Sequence, residues 1–213
     1  VYISHPKYSE CLTYCNKIIE AGYSIEERYQ DLFCINNEGS DEAIFLIAFD
    51  GERTQSWGGM TFLINGSIGG SMNPSEYGVE GSWAGSRATK ALFDKFDVND
   101  GRGLFYTTGQ TLEIDNVVEF TQGVAVTKYR NLKYVYDNDG NVIETIPGSN
   151  STHPDADFPM FRLGDVYLMY AEIVARGAGG DASTAAGYVN QLRERAFGNS
   201  DENIPAADLT EEF

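Results

Sequence analysis

The 213-residue sequence is poor in the residues that most often carry catalysis or bind metals. Its two histidines, His5 and His153, do not have the spacing of a zinc site. Its three cysteines are an odd number and lack metal-ligand spacing, and Cys11 and Cys15 are i, i+4 on a predicted helix. Cys34 stands alone. We therefore predict small buried cysteines, no metal site and no cofactor.

Basic residues are also scarce, with 15 Lys and Arg against 32 Asp and Glu and a net charge of −17. Because phosphate binding needs a basic face, this balance excludes a simple nucleic-acid-binding protein. The simplest interpretation of the acidic excess is a soluble surface. No stretch approaches the ~18 uncharged apolar residues that a membrane span needs. The sequence does have 42% hydrophobic residues, 12 Phe and 13 Tyr, which predict a folded globular chain.

Motifs of known enzyme classes are missing as well. In Gly81–Gly85 the serine stands one place too early for a nucleophile elbow. Gly66–Gly70 lacks the lysine of a phosphate-binding loop. The many carboxylates do not define a glycosidase pair, because sequence does not fix their separation. We therefore predict no catalytic residues and no enzymatic activity.

Two acidic turns have oxygen ligands of the kind that calcium prefers. Residues 137–141 read Asp-Asn-Asp-Gly-Asn, but they lack the Gly at position 6 and the Glu at position 12 of a helix–loop–helix calcium site. A β-hairpin turn explains this stretch better, because Asp-Gly tolerates the positive φ that such turns need. The turn at 97–100 has the same interpretation.

The strongest pattern is a pair of amphipathic helices within residues 158–198. Gly177 ends the first helix, Asp181 or Ser183 caps the second, and Gly198 ends it. An antiparallel pair of this length, roughly 35–40 residues, is typical of a tetratricopeptide-type unit. The apolar stripes are Leu163, Val166, Tyr167, Tyr170, Ala171 and Val174 in the first helix, and Ala185, Tyr188, Val189, Leu192 and Ala196 in the second.

The rest of the chain alternates between short predicted elements and a long loop. Residues 51–86 show little periodicity and are rich in Gly, Ser and Asn, which predicts a long functional or mobile connection. The predicted elements are a helix at 8–21, a strand at 42–50, a helix at 88–96 with Leu92, Phe93 and Phe96 inward, and strands at 124–136 and 141–146.

Several stretches together resemble one known family. Residues 162–172 read Arg-Leu-Gly-Asp-Val-Tyr-Leu-Met-Tyr-Ala-Glu after Phe-Pro, and 189–196 read Val-Asn-Gln-Leu-Arg-Glu-Arg-Ala. Residues 22–33, Gly-Tyr-Ser-Ile-Glu-Glu-Arg-Tyr-Gln-Asp-Leu-Phe, and the following strand come in the same order. The sequence resembles the RagB/SusD family of glycan-binding outer-membrane lipoproteins of Bacteroidetes-type bacteria. The resemblance is strongest at 158–198, moderate over 8–50 and 86–105, and weak elsewhere.

The resemblance implies a mainly α fold, a tetratricopeptide-like α/α superhelix scaffold with a loop-rich insertion that contains short β-strands and a hairpin. The sequence begins without an initiator Met or signal peptide, and we expect a fragment lacking the N-terminal part and the C-terminal end. We expect a single SusD-like fragment over 1–213. Its parts are a repeat helix and short strand (8–50), a loop-rich ligand region with a hairpin (51–157), the helix-pair signature (158–198) and the start of a truncated helix (199–213).

The resemblance also implies a function. The expected activity is non-enzymatic capture of an oligosaccharide or polysaccharide at the outer surface of the cell. The expected partner is a TonB-dependent, SusC-like outer-membrane transporter, which receives the glycan. Membrane attachment would occur only through an N-terminal lipid anchor that is absent from this sequence.

We place the candidate glycan site in and beside the loop at 51–86, which contains both tryptophans. Sugars pack their C–H faces on aromatic rings, and their hydroxyls need amide, carboxylate or guanidinium partners. The alternative is that one or both tryptophans fix the loop to the helical scaffold. The predicted ligand residues are Trp83, Tyr77, Trp57, Asn73 and Arg87, and Phe62 and Asn65 belong to the same inventory.

Two alternatives remain open at the level of sequence. The signature-helix residues Arg162, Asp165, Tyr170 and Glu172 could bind a ligand, but we predict that they pack the helix pair and tie it to its neighbours. The whole chain could instead be a helical-repeat adaptor that binds a protein or peptide in its concave face. Capture predicts exposed, coplanar aromatic rings outside the repeats. A buried Trp83 would weaken that hypothesis.

Overall fold

The structure is a computed structural model that describes residues 7–210. Within this range the chain divides into two compact units, each built from separate stretches of sequence. A helical unit takes the described residues of Val1–Glu27, Ser40–Phe45 and Met160–Phe213. A loop-rich unit takes Arg28–Gly39 and Leu46–Pro159. The organisation of residues 1–213 as a single SusD-like fragment stays a prediction.

In the described part of the helical unit three α-helices pack together, as the apolar stripes predict. Helix α1 (Tyr8–Ile19) packs on α4 (Leu163–Ala175), and α4 packs on α5 (Ala182–Phe197). Their facing residues make one hydrophobic core, in which the rings of Tyr167 and Tyr188 stack with centroids 4.2 Å apart. The core holds most of the helix-pair stripe predicted from sequence, because a period of 3.6 residues places these side chains on one face.

The ends of the helix pair also follow the sequence. The Asp181 carboxylate caps α5 by accepting a hydrogen bond of 2.7 Å from the Thr184 backbone N–H. Tyr170 accepts a hydrogen bond from the Asp181 backbone N–H with its hydroxyl, at 3.2 Å. Gly198 ends α5 in the left-handed region at φ +71°. Tyr170 therefore has the packing role that we predicted for it.

A buried carboxylate joins separate segments of the helical unit. Glu42 is completely buried, and its Oε1 accepts a hydrogen bond of 3.1 Å from Arg162. Its Oε2 pairs with the guanidinium of Arg195 and accepts the backbone N–H of Glu26 at 2.9 Å. Arg162 also pairs with Asp165, at 3.4 Å. Arg162 and Asp165 therefore have the structural role that we predicted for them from the sequence.

Removing the charge of Glu42 should strongly destabilise the helical unit. In Glu42→Gln two largely buried guanidinium groups lose their ion pair with Glu42, and we expect the free energy of unfolding to fall by about 3–5 kcal/mol. Chemical denaturation measures this change. The matched control is Glu172→Gln, which removes an exposed pair with Arg176 and should change stability by less than about 1 kcal/mol. Equal effects of the two variants would contradict the structural role of Glu42.

Within residues 7–210 the strands form three two-stranded sheets. The predicted hairpin is confirmed: β4 (Leu132–Tyr136) pairs antiparallel with β5 (Val142–Pro147). The other pairs are β2 (Phe105–Tyr106) with β3 (Ala125–Val126), and β1 (Ala43–Ile47) with β6 (Phe158–Arg162).

The hairpin turn has the geometry that Asp-Gly predicts. Asp137 accepts the backbone N–H groups of Asp139 and Asn141 at 2.9 and 2.8 Å with one carboxylate oxygen, and Gly140 has φ +82°. Among the described residues no group of three or more His, Cys, Asp and Glu side chains could hold a metal ion.

Two of the sequence predictions for the loop-rich unit are wrong. The single strand expected at 124–136 is divided into β3 and β4, because the chain turns inward between them to bury Asn131. The helix expected at 88–96 is the short α3 (Lys90–Phe93), with Leu92 exposed. Phe93 and Phe96 do pack against Phe105, with ring centroids 5.3 and 5.2 Å away.

The stretch at 51–86 is more regular than expected. It contains helix α2 (Gly59–Gly66) and a 3₁₀-helix at Pro74–Tyr77. Helix α2 buries Met60, Thr61, Ile64 and Asn65, which have helical spacing. The sequence did not reveal this helix, because it has only eight residues and glycines at both ends. Met60 and Ile64 help to form the hydrophobic core of the loop-rich unit.

The end of the described chain has only a 3₁₀ turn, at Ala206–Asp208. The truncated helix expected at 199–213 falls partly on residues 211–213, which lie outside the described residues. No helix within residues 7–210 has the length and apolar character to span a membrane.

Candidate functional site

Four rings from distant parts of the sequence meet at the surface of the loop-rich unit. We call Trp57, Phe62, Trp83 and His153 the aromatic surface. The side chains of Trp57, Phe62 and Trp83 are 68%, 48% and 39% exposed. The centroid of Trp57 lies 6.1 Å from that of Trp83 and 5.0 Å from that of His153, and Phe62 lies 6.4 Å from Trp83. Exposed aromatic rings in contact with one another are an unusual feature of a soluble surface and indicate a binding site.

The rings of the aromatic surface are tilted relative to one another. The plane of Trp57 makes 40° with Trp83 and 59° with His153, and Phe62 makes 51° with Trp83. The expectation of coplanar rings is therefore wrong. The rings form a faceted surface, on which successive units of a bound chain would have to change orientation.

The C-terminal end of α2 positions Trp83. A helix leaves its last carbonyl groups without partners in the helix, and here the following chain supplies them. The N–H of Trp83 donates to the Asn65 carbonyl at 2.9 Å, and that of Gly85 donates to the Gly66 carbonyl at 2.9 Å. Between them Ala84 has φ +51°, an uncommon conformation for a non-glycine residue, and its N–H donates to Ile68 at 2.9 Å. Trp83 is thus exposed but fixed by its backbone.

Asn65 links the segment that carries Trp83 to the segment that carries His153. Its side chain is buried, and its Nδ2 donates to the carbonyl groups of Thr61, at 2.9 Å, and Thr152, at 3.3 Å. Its own carbonyl accepts the N–H of Trp83. The sequence grouped Asn65 with potential sugar partners, but the structure gives it a positioning role between Trp83 and the residue before His153.

A second buried amide holds the segment that carries His153. Asn131 is completely buried, and its Nδ2 donates to the carbonyl groups of Gly78 and Asn150 at 2.9 and 2.8 Å. Its Oδ1 accepts the N–H of Asp155 at 3.0 Å. The side chain of Asn150 in turn accepts the N–H of His153 at 2.9 Å. The Asn131 side chain therefore helps to fix the backbone path of residues 150–155.

Replacing Asn131 should loosen this segment. Asn131→Ala leaves buried carbonyl and N–H groups without partners, and we expect a loss of about 2–4 kcal/mol of unfolding free energy. Hydrogen exchange should also accelerate at the amide of Asp155, which loses its acceptor, the Oδ1 atom of Asn131. The control Asn99→Ala changes an exposed turn and should be nearly neutral. Unchanged exchange at the Asp155 amide would show that the Asn131 side chain does not hold the segment.

Three of the predicted ligand residues have partners inside the protein. Tyr77 is 7% exposed and belongs to the hydrophobic core, where burial raises the pKa of its hydroxyl. This burial does not favour Tyr77 as part of an accessible aromatic platform, and its role as a ligand residue stays a prediction. The Asn73 side chain accepts the N–H of Ser75 at 3.3 Å and so caps the 3₁₀-helix that contains Tyr77. Arg87 donates to the carbonyl groups of Gln122 and Val117 at 2.6 and 2.9 Å.

The sequence did not identify His153 as part of the aromatic surface. It lies 96 residues after Trp57 (153 − 57), and sequence reasoning considered it only as a metal ligand. No local motif marks its position, because the contact depends on the fold that brings 150–155 beside residue 51. A Cβ atom on Gly51 would lie 2.2 Å from the His153 carbonyl oxygen, so only glycine fits this approach.

A fixed carboxylate lies on the chain between Tyr77 and Trp83. Glu80 accepts hydrogen bonds from the hydroxyls of Ser151, at 2.8 Å, and Thr152, at 2.5 Å. Its backbone N–H donates to the Ser151 carbonyl at 3.1 Å. The bond from Thr152, followed by that from Ser151, lowers the pKa of Glu80, which is therefore ionised at neutral pH.

An open pocket of about 490 Å³ lies in the same unit, and we call it the acidic pocket. Burial, followed by the nearby charges of Glu38 and Asp155, raises the pKa of Asp157 in its wall, although the Phe49 N–H opposes this. Gly51, whose N–H donates to Asp155 at 2.7 Å, adjoins this wall. The pocket is lined by Asn36, Glu38, Ala48, Phe49, Asp50, Glu52, Arg53, Ser149, Asp155 and Asp157.

Comparisons with known proteins agree on one family. Residues 115–207 match the model of the SusD family, a region that includes His153 but not the other three rings of the aromatic surface. The starch-binding protein SusD of Bacteroides thetaiotaomicron is 28% identical over 247 residues, which cover 92% of this chain and 42% of that protein.

Solved structures show the same fold. Surface glycan-binding protein A from Bacteroides thetaiotaomicron has a TM-score of 0.65 at 21% identity over 94% of this chain and 44% of its own, and one of its structures contains laminarihexaose. A SusD superfamily protein from Bacteroides vulgatus has a TM-score of 0.63 at 20% identity over 99% of this chain and 41% of its own. This chain spans less than half the length of these relatives. The predicted fold class, a helical scaffold with short strands, is confirmed.

Proposed function

We propose that this chain, which is related to the RagB/SusD family, captures oligosaccharides or polysaccharides without chemical change to them. The observation that carries the proposal is the aromatic surface: the rings of Trp57, Phe62 and Trp83 are exposed, and the backbones of Trp83 and His153 lie on segments held by Asn65 and Asn131. Related proteins support it, because one is named for starch binding and another was solved with laminarihexaose. The relatives are named as binding proteins, which agrees with a non-enzymatic role.

Ring stacking explains how such a surface would bind. Each ring buries apolar area against the C–H face of a sugar. The hydroxyl groups around the edge of that sugar replace hydrogen bonds to water with hydrogen bonds to the protein. Because the rings are already held in place, little conformational entropy is lost on binding. A few contacts of this kind supply on the order of a few kcal/mol net, so we expect modest affinity.

The tilt of the rings favours curved glycans. Planes that differ by 40–59° between neighbours cannot all lie flat on the straight, ribbon-like face of a β-1,4-linked chain. A chain whose successive units rotate, as in an α-1,4- or β-1,3-linked glucan, can present a C–H face to each ring in turn. We therefore infer that bent glucans are preferred to flat ones.

The exposure of Trp83 also bears on the alternative of a helical-repeat adaptor. That hypothesis places the binding surface in the groove of the repeats, whereas capture places it on exposed rings outside them. Trp83 and Trp57 are both exposed and both lie outside α1, α4 and α5. This arrangement favours capture.

Tryptophan replacement tests the proposal directly. The chain has only two tryptophans, both in the aromatic surface, so intrinsic fluorescence reports on this site alone. Titration with maltohexaose and laminarihexaose should give a saturable change, and cellohexaose should bind more weakly. By calorimetry, Trp83→Ala and Trp57→Ala should each weaken binding by roughly tenfold, because each removes one stacking ring.

The control for these variants is Tyr14→Ala, which removes an exposed aromatic ring from α1 and should leave glycan affinity unchanged. Glycan binding that survives both tryptophan replacements would place the site elsewhere. A lack of binding to any of the hexaoses and to longer glucans would overturn the proposed capture function.

We further propose that the whole protein acts at the outer membrane and passes its glycan to a TonB-dependent, SusC-like transporter. Relatedness to the SusD family supports this step, with an N-terminal lipid anchor as the means of attachment. The full-length protein should fractionate with outer membranes and copurify with a TonB-dependent transporter after detergent extraction. Recovery in the soluble fraction without a transporter would argue against the step.

A further inference from the structure

Glu80 is an exposed carboxylate that the fold holds in one position. Hydroxyl groups from Ser151 and Thr152 each donate to a different oxygen of it. An ionised carboxylate has about four acceptor positions, so two hydroxyl donors leave about two directed to the surroundings. A carboxylate held at both oxygens is more ordered than a typical exposed glutamate, and its charge has a defined place.

Glu80 is connected to the aromatic surface through the chain and through its hydrogen-bond partner Thr152. Trp83 follows it by three residues, and its hydroxyl partner Thr152 directly precedes His153. Asn65 connects these two neighbours, because it accepts the N–H of Trp83 and donates to the carbonyl of Thr152. A ligand on the rings of Trp83 and His153 would therefore lie near the charge of Glu80.

Further negative charge lies in the acidic pocket, beside the residue that the backbone of His153 approaches. The carbonyl oxygen of His153 contacts Gly51, which stands between Asp50 and Glu52 in the wall of the acidic pocket. The pocket has five carboxylates in its lining against one cation, Arg53. Like charges repel at this range in water by amounts that matter for weak ligands. An anionic ligand beside His153 would therefore meet unfavourable potential from the acidic pocket as well as from Glu80.

From this geometry we propose that Glu80 is a specificity-determining residue and that the aromatic surface takes neutral glycans in preference to uronic-acid-containing or sulfated ones. The inference rests on the proposed capture function and adds its substrate class. A neutral sugar hydroxyl can donate to the open acceptor positions of Glu80. A carboxylate or sulfate group on the sugar has no proton to donate and is repelled.

A matched pair of ligands tests the inference. The first ligand is the neutral glucan that binds best among maltohexaose, laminarihexaose and cellohexaose. The second is the same glucan after its primary alcohols have been oxidised to carboxylates. The oxidised glucan should bind several-fold more weakly at about 20 mM ionic strength, and the difference should shrink at about 500 mM, because salt screens the repulsion.

Variants assign the effect to a residue. Glu80→Gln keeps an acceptor for one of the two hydroxyls but removes the charge, and should reduce the discrimination by about two- to fivefold at low salt. Glu144→Gln makes the same change of charge on the exposed hairpin strand β5, which contributes no residue to the aromatic surface or the acidic pocket, and should leave discrimination unchanged. Thermal unfolding of both variants confirms that they are folded.

The outcomes separate this inference from the proposed function. If the neutral and oxidised glucans bind equally, or the oxidised one binds better, capture stands and the charge preference is overturned. If discrimination is present in wild type but unaffected by Glu80→Gln, the assignment to Glu80 is overturned. If neither glucan binds, the capture function itself fails and the inference fails with it.

Discussion

The hydrogen bonds of one buried amide, Asn131, hold together the loops from which the loop-rich unit is built. Its side chain reaches Gly78, Asn150 and Asp155, and its backbone carbonyl accepts the N–H of Gly148. Short strands and glycine-rich turns bury little apolar area, so their relative positions depend on satisfied polar groups more than on a continuous core. The ring of His153 and the hydroxyls that hold Glu80 belong to the segment fixed in this way.

In the helical unit, a buried charged residue, Glu42, holds separate segments together. Glu42 lies in the short stretch Ser40–Phe45, which the chain inserts among helices that come from far along the sequence. Its two arginine partners come from the residue before α4 and from the last turn of α5. A buried ion pair contributes less to net stability than to specificity, because its desolvation offsets much of its attraction. We regard Glu42 as the residue that fixes which segments meet.

The sequence predicted the helical scaffold well and the candidate site only in part. The helix pair has a clear 3.6-residue period and local capping signals, both of which are properties of neighbouring residues. Tyr77 and Trp83 come from the same loop and the same residue class, yet one is buried and the other exposed. That difference depends on Asn65, Asn131 and the path of 148–155, which include contacts across 87 residues (Asn65 to Thr152) and 53 residues (Asn131 to Gly78). No local pattern in the sequence records such contacts.

The proximity of the two tryptophans gives the aromatic surface an optical property of its own. Indole rings with centroids 6.1 Å apart and planes inclined at 40° have coupled electronic transitions, and the inclination makes the coupled pair chiral. The far-ultraviolet circular dichroism of the chain should therefore contain a paired band of opposite signs on top of the helical signal. Its amplitude depends on the angle between the rings, so a conformational adjustment of the surface is visible without any attached label.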